Sequence, residues 1–292
     1  MPKILSLWKF NEPILLLPIL YSLFTMTLLP AFLLGFIQGL TEFIPVSSTA
    51  HLLIAQQLLG IPAGDATFAF LVLVQLGTLV SLIVFFWRDL LALVKAFFAR
   101  PFSTPENKLA WFIIIATIPA VAAGVLLKDA VQALFKTPLL EAAIRLWTAA
   151  ALMAAAEYFG KRSRGLDTLT WVDALVVGLF QVLAVFPGAS RSGSTISGGM
   201  FRGLDRPSAA RFAFLISIPV MLGAGAYEML DAMSLPDLPT FLPALLVGFA
   251  TAAVVGWFAI RWLLAYLNRG SLYVFAAYCA VVGALCLIGF LL

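Results

Sequence analysis

The sequence predicts an all-α polytopic membrane protein, built as an inverted-topology repeat with two re-entrant helical hairpins and six transmembrane helices. Three observations carry that reading. The 292 residues are 63% apolar and only 11% charged, with a mean hydropathy of +1.06, whereas soluble domains hold about 45–50% apolar and about 25% charged residues. Six apolar runs reach the length of about 20 residues that a helix needs to cross a hydrocarbon core. Two further stretches, 31–64 and 171–207, begin apolar, break into Pro, Gly, Ser and Thr, and resemble each other.

Along the chain, 13–30 is a marginal extra run that opens at Pro13, carries Pro18, closes at Pro30 and is preceded by Lys3 and Lys9. Its basic start suits a signal peptide, but no small-residue cleavage site follows, so residues 1–30 are read as an N-terminal extension or extra transmembrane helix. Residues 31–292 form a single membrane domain, with repeat one at about 31–159 and repeat two at about 171–292. Its spans are 66–87, 109–127, 138–159, 209–230, 240–262 and 271–292, each bordered by charged or Pro-containing sequence.

Positive loops stay cytoplasmic. Arg88, Lys95, Arg100 and Lys108, then Lys161, Arg162 and Arg164, then the turn near Arg269, place three connections inside. The segment from Asp231 to Pro239 has no Lys or Arg and lies outside; Lys128–Thr137 follows it there by alternation. Span 66–87 then runs inward and span 209–230 outward, so the broken stretches before them enter from opposite faces. Irregular backbone at membrane depth is tolerated only where it lines a cavity, and two such hairpins meeting tip to tip define a polar site near the midplane.

With 18 Lys+Arg against 14 Asp+Glu and a net charge of +4, no basic tract is present for nucleic acid, and the charge reads as a topology signal. Cys279 and Cys286 fall in one apolar run, about 10 Å apart as a helix, too far for a disulfide; they read as packing residues.

The two tips hold the chemistry. Gly35-Phe-Ile-Gln38 in the first stretch aligns with Gly178-Leu-Phe-Gln181 in the second, and each is followed by a Phe, a Pro and a hydroxyl cluster. In the first tip, Gln38 and Glu42 share a helix face, Pro45 ends that helix, and Ser47, Ser48 and Thr49 precede His51, the chain's one histidine. Ionisable residues at this depth are costly and mark function. The second tip, Pro187-Gly188-Ala189-Ser190-Arg191-Ser192-Gly193-Ser194-Thr195, exposes backbone N–H groups and an Arg fork that suit a phosphate. Paired glycosidase acids, a Walker loop, zinc spacing and a GxSxG elbow are all missing, while a clamp, a nucleophile or water activator and a proton donor are present, as phosphoryl transfer needs. A lipid carrier is the rival reading, because broken helices and midplane polar sites also describe transporters.

The segments GFIQGLTEFIPVSSTAH and FPGASRSGSTISGGM, with VQLGTLVSLIVFFWRD between them, resemble the undecaprenyl-diphosphate phosphatase family of the bacitracin-resistance type. The resemblance runs from about Met26 to the C-terminus. It implies removal of one phosphate from undecaprenyl diphosphate with a divalent cation, Mg²⁺ or Ca²⁺, in the bacterial plasma (inner) membrane, at a site facing the periplasm or exterior. The product carries cell-wall precursors, and the alternative is a flippase for undecaprenyl phosphate. By position the resemblance assigns Glu42, Ser48, His51 and Arg191 to catalysis, with Glu42 also at the metal. Gln38, Ser47, Thr49, Ser190, Ser192 and Thr195 fall to substrate binding. Gln38 stands where the family motif also allows Glu. The extension before Met26 departs from the family, as an added helix or as sequence upstream of a start at Met26. Small residues along 121–124 and 149–156 could pack helices within one chain or across a homodimer.

Overall fold

The computed structural model describes residues 27–62, 64–127, 137–184, 189–233 and 238–292. Most of the 13–30 run, from residue 13 to 26, therefore lies outside the described residues, as do the Pro187-Gly188 turn and residues 128–136. Among the described residues the fold is all-α, in agreement with the sequence. Helix α1 (Leu28–Phe43) and α2 (Ser48–Leu58) make a pair of short helices; α3 (Asp65–Phe85), α4 (Trp87–Phe97), α5 (Pro105–Leu126) and α6 (Pro138–Phe159) follow. A second short pair, α7 (Trp171–Val182) and α8 (Arg191–Phe201), precedes α9 (Arg206–Met233), α10 (Leu238–Leu267) and α11 (Tyr273–Leu291). Among the described residues 6 helices, α3, α5, α6, α9, α10 and α11, are long and apolar enough to cross a membrane.

Two sequence expectations need correction. Pro30 does not close the N-terminal run; it sits in the first turn of α1, where its missing N–H is one the helix would leave unpaired anyway. The basic connection after Phe85 is not simply a loop, because Phe86 breaks α3 and the chain resumes as α4. This helix exposes Trp87, Leu91 and Val94 beside Arg88 and Lys95 and buries Leu93, the pattern of a helix lying along a membrane surface.

Close helix crossings hold the bundle together. Helix α1 packs on α10, and α7 packs on α5. At the first crossing a Cβ on Gly35 would fall 2.3 Å from the Gly248 carbonyl oxygen; at the second a Cβ on Gly178 would fall 2.5 Å from that of Ala116. The two glycines that align in the sequence thus make the same kind of contact, each to the second of the three long apolar helices of the opposite half. Small residues permit such approach where lipid offers no hydrophobic drive for helix association. The larger core cluster includes Phe43, Phe86 and Phe214, with Phe43 and Phe214 edge to face at 5.4 Å between centroids. The 149–156 stripe is spent inside the chain, with Ala149, Ala150, Met153 and Ala156 buried, whereas Val121, Ala122 and Gly124 are exposed.

At one end of the bundle, Glu157 accepts both Arg206 Nε (2.7 Å) and Nη2 (2.6 Å), and also the Leu272 N–H (2.6 Å). One carboxylate thereby ties the end of α6 to the starts of α9 and α11. Gly35→Ala and Gly178→Ala should each cost about 1–3 kcal/mol through overpacking, seen as a lower thermal midpoint in detergent. Gly124→Ala, whose added Cβ meets nothing within 4 Å, should leave the midpoint unchanged or slightly raised.

Candidate active site

Local sequence sets the first tip. Helix α1 stops at Phe43 because Pro45 disfavours helical backbone at Ile44, which is extended at φ −61° and ψ 129°. The chain then turns through Ser47 at φ +66°, a left-handed conformation that costs a non-glycine residue free energy and marks a turn held by its surroundings. What holds it is His51. Its backbone N–H (3.3 Å) and its ring Nδ1 (2.9 Å) both reach the Ser47 carbonyl. A carbonyl only accepts, so Nδ1 carries the proton and, in the neutral ring, Nε2 accepts from the Tyr278 hydroxyl at 2.8 Å. The two rings also stack, 5.7 Å apart and 8° from parallel.

The second tip is set by Ser190, which caps α8 by accepting the Gly193 N–H at 3.2 Å. Arg191 is therefore the first residue of the helix, where backbone N–H groups are unpaired and the helix dipole is positive. The base of this hairpin is fixed by Asp173. Its carboxylate accepts Arg202 Nε at the end of α8 (2.7 Å), Arg164 Nη2 (2.8 Å), and the Thr170 N–H and hydroxyl in a capping box (2.9 and 2.7 Å). Arg164 also donates to the Arg202 carbonyl at 2.8 Å. Burial pushes the Asp173 carboxyl up, but the bonds from Arg164, Thr170 and Arg202 outweigh it and hold the group well below the usual carboxylate range.

The tips converge on Glu42, which is 6% exposed. Gln38 Nε2 donates to its Oε2 at 2.9 Å, and the Ser48 hydroxyl donates to the same oxygen at 2.7 Å. Arg191 Nη2, from the other half of the chain, pairs with Oε1. Serine, carboxylate and guanidinium, which the sequence proposes together, are thus in direct contact. With Ser47, Thr49, Ser190 and Ser192 they line a cavity of about 200 Å³. The Ser190 and Ser192 hydroxyls lie 3.4 Å apart. A second cavity of about 730 Å³ adjoins it through Ser48, Thr49, Val72, Gln75, Arg145 and Ala184, and there Gln38 and apolar side chains such as Leu52, Phe68 and Leu71 form the wall.

Two proposed site residues are turned elsewhere. His51 lines neither of these cavities, its ring being held between Ser47 and Tyr278. The Thr195 hydroxyl is buried and donates to the Arg191 carbonyl at 2.8 Å, so it braces the first turn of α8. Conversely, Arg145 and Glu141 were overlooked in the sequence, although a charged pair four residues apart inside an apolar span is a recognised signal. Gln181, the counterpart of Gln38, also lines the smaller cavity, and its buried Oε1 has no hydrogen-bond partner.

Glu42, Gln38 and Ser48 carry oxygens of the kind a hard divalent cation takes, and here both Glu42 oxygens are held by Gln38 Nε2, the Ser48 hydroxyl and Arg191. Among the described residues no group of three or more His, Cys, Asp and Glu side chains gathers, so the protein offers one carboxylate with Gln38 Oε1 and the Ser48 hydroxyl beside it. That is a donor set for an ion of the Mg²⁺ type, which keeps several waters and takes substrate phosphate oxygens as further ligands.

A family model described as bacitracin resistance protein BacA matches residues 31–285. Among curated relatives, the chain is similar to the undecaprenyl-diphosphatase of Anaeromyxobacter dehalogenans (strain 2CP-1), 41% identical over 89% of this chain and 90% of the relative. It is 42% identical to that of Mycobacterium sp. (strain KMS), over 90% of this chain and 96% of the relative. To that of Methanosphaera stadtmanae it is 39% identical, over 89% and 97%.

Because the Asp173 carboxyl titrates below its ordinary value, it contributes stability that is present above about pH 4 and is lost as pH falls through the depressed value. Asp173→Asn should lower the thermal midpoint at pH 7 in detergent, and the gap to wild type should narrow on acidification below about pH 4. A gap that does not vary with pH would contradict the assignment.

Proposed function

This chain belongs to the bacitracin resistance protein BacA family, and on that footing we propose that it is an undecaprenyl-diphosphatase, a hydrolase that takes the terminal phosphate from undecaprenyl diphosphate. The products are inorganic phosphate and undecaprenyl phosphate, a carrier lipid recovered for cell-wall synthesis, and the activity confers bacitracin resistance. The observation that carries the reading is the Ser48–Glu42–Arg191 contact: a hydroxyl already donating to a carboxylate, beside a guanidinium, at the end of a mostly apolar groove.

The geometry gives each residue a task. Ser48 Oγ attacks the terminal phosphorus, its proton passes to Glu42 Oε2, and the bond from phosphorus to the bridging oxygen breaks as undecaprenyl phosphate leaves with the electron pair. Protonation weakens the hold of Glu42 on Arg191, which frees the guanidinium for the phosphoryl oxygens at the moment charge builds on them. Glu42 gives that proton up to the departing undecaprenyl phosphate; water then attacks the phosphoserine phosphorus, loses a proton to Glu42, and the bond from phosphorus to Oγ breaks as Ser48 takes the proton back and inorganic phosphate is released. When bound near Glu42 and Gln38, a divalent ion, Mg²⁺ or Ca²⁺, supplies further neutralisation of the diphosphate. His51 acts through the turn, holding the Ser47 carbonyl so that Ser48 points at Glu42; to pass protons it must first part from Tyr278. The Ser190 and Ser192 hydroxyls and the first N–H groups of α8 complete the phosphate cradle.

The setting is a multi-pass plasma (inner) membrane protein whose two short helix pairs, α1–α2 and α7–α8, enter from opposite faces and return. Support comes from the larger cavity, which reaches Gly64, Thr67, Thr137 and Pro138 at the starts of α3 and α6. The basic stretches Arg88–Lys108 and Lys161–Arg164 lie past the other ends of these helices, so the positive-inside rule turns the opening toward the periplasm or exterior. The exposed stripe of Val121, Ala122 and Gly124 is the surface suited to a homodimer contact. A flippase would need the arginine clamp but not the Ser48–Glu42 hydrogen bond, so that reading has no separate support.

Phosphate release from undecaprenyl diphosphate by purified protein in detergent tests this. Ser48→Ala and Glu42→Gln should each lower turnover by about 10²–10⁴, and Arg191→Ala by about 10³ or more, with EDTA suppressing the wild type. Near wild-type turnover in any of the three variants would remove that residue's role.

A further inference from the structure

Arg145 is 5% exposed and sits inside α6, one of the spanning helices, where an arginine is tolerated only with a purpose or a partner. A partner is present: Nε donates to Glu141 Oε1 at 2.9 Å and Nη2 lies 2.8 Å from the same oxygen, one helical turn away. A pair that served packing alone would face protein on every side. This pair does not, because Arg145 lines both the Glu42 cavity and the larger groove, and among the described residues it is the one charged side chain common to the two. Glu141 lines the groove but not the smaller cavity.

The position matters because a prenyl diphosphate has two phosphates of different fate. The terminal one is transferred at Ser48, beside Arg191; the other stays on the lipid. With the terminal phosphate in the Glu42 cavity and the hydrocarbon in the groove along Leu52, Phe68 and Leu71, the lipid-side phosphate must lie at the neck that Arg145 shares. Resting on the diphosphatase reading, we propose that Arg145, held in place by Glu141, binds the lipid-side phosphate of the substrate and remains on that phosphate in the product. The two arginines then divide the work. Arg191 follows the phosphate that is removed, and Arg145 stabilises the leaving group on which charge accumulates as the bridging bond breaks.

The test separates this role from turnover by using a ligand that cannot react. Binding of farnesyl monophosphate to the full-length protein in detergent, followed by calorimetry, reads the lipid-side phosphate subsite, and separate binding of inorganic phosphate reads the terminal one. The Glu141→Gln/Arg145→Gln double variant removes both charges of the pair together, so that neither is left buried without the other. It should bind farnesyl monophosphate about tenfold or more weakly, with binding of inorganic phosphate unchanged within about twofold; Arg191→Gln should show the reverse pattern. Where the double variant does not hold its fold, Arg145→Lys keeps the pair with Glu141 and should still lose about threefold or more, because lysine cannot reproduce the guanidinium fork. Unchanged monophosphate affinity, or no binding of farnesyl monophosphate by the wild type, overturns the proposal. Arg145-dependent binding by a wild type that releases no phosphate from undecaprenyl diphosphate would sustain the subsite while removing the hydrolytic reading.

Discussion

A carboxylate and a guanidinium in the interior of a membrane protein are tolerated only together, and that constraint organises this molecule. Glu42 lies at the end of α1 and Arg191 begins α8; they lie 149 residues apart in sequence. Neither charge could be stripped of water at that depth without its partner. Their contact therefore requires the tips of the two halves to meet. The crossings at Gly35 and Gly178, where backbone approaches backbone, are what let α1 and α7 reach that position.

The pair that holds the tips together is also the one that chemistry must open. Glu42 accepts from Ser48 and Gln38 on one oxygen and from Arg191 on the other, so in the proposed reaction a single proton passed to Glu42 both activates the serine and releases the clamp. The supporting charges are arranged differently. Glu157 and Asp173 gather arginines at the basic end of the bundle, where they fasten helix termini to one another. Arg145 and Glu141 lie toward the opposite end, on the wall of the groove. Charge thus anchors the fold at one face and, in the proposed reading, meets an anionic headgroup near the other.

Much of this was legible in the sequence, for physical reasons that differ by residue. The six spans follow from hydrophobic length alone. Glu42, Ser48 and Arg191 stood out because Pro, Gly and hydroxyl residues interrupt otherwise apolar stretches, and the aligned Gly35 and Gly178 proved to share one packing task. Helix α4 was hidden because an 11-residue amphipathic helix is too short to register as a span and its charges read as a loop. His51 was expected to face the chemistry; its stacking partner Tyr278 is 227 residues away, a proximity that no local pattern encodes. Thr195 was expected to touch phosphate, but one turn of helix brings its hydroxyl back onto the Arg191 carbonyl. Arg145 and Glu141 carried a readable signal, four residues apart in an apolar run, and were absorbed into the span that contains them.

The central claim is that the two halves are coupled through Glu42 and Arg191, and a double-mutant cycle on folding stability measures it most directly. Thermal or denaturant unfolding in detergent would be compared for wild type, Glu42→Gln, Arg191→Gln and the double variant, read from an intrinsic fluorescence signal common to all four. The account predicts a coupling free energy of about 1–3 kcal/mol, with the double variant less destabilised than the sum of the singles. Additive effects would contradict it, because they would mean that the tips meet for some other reason and that each charge is satisfied elsewhere.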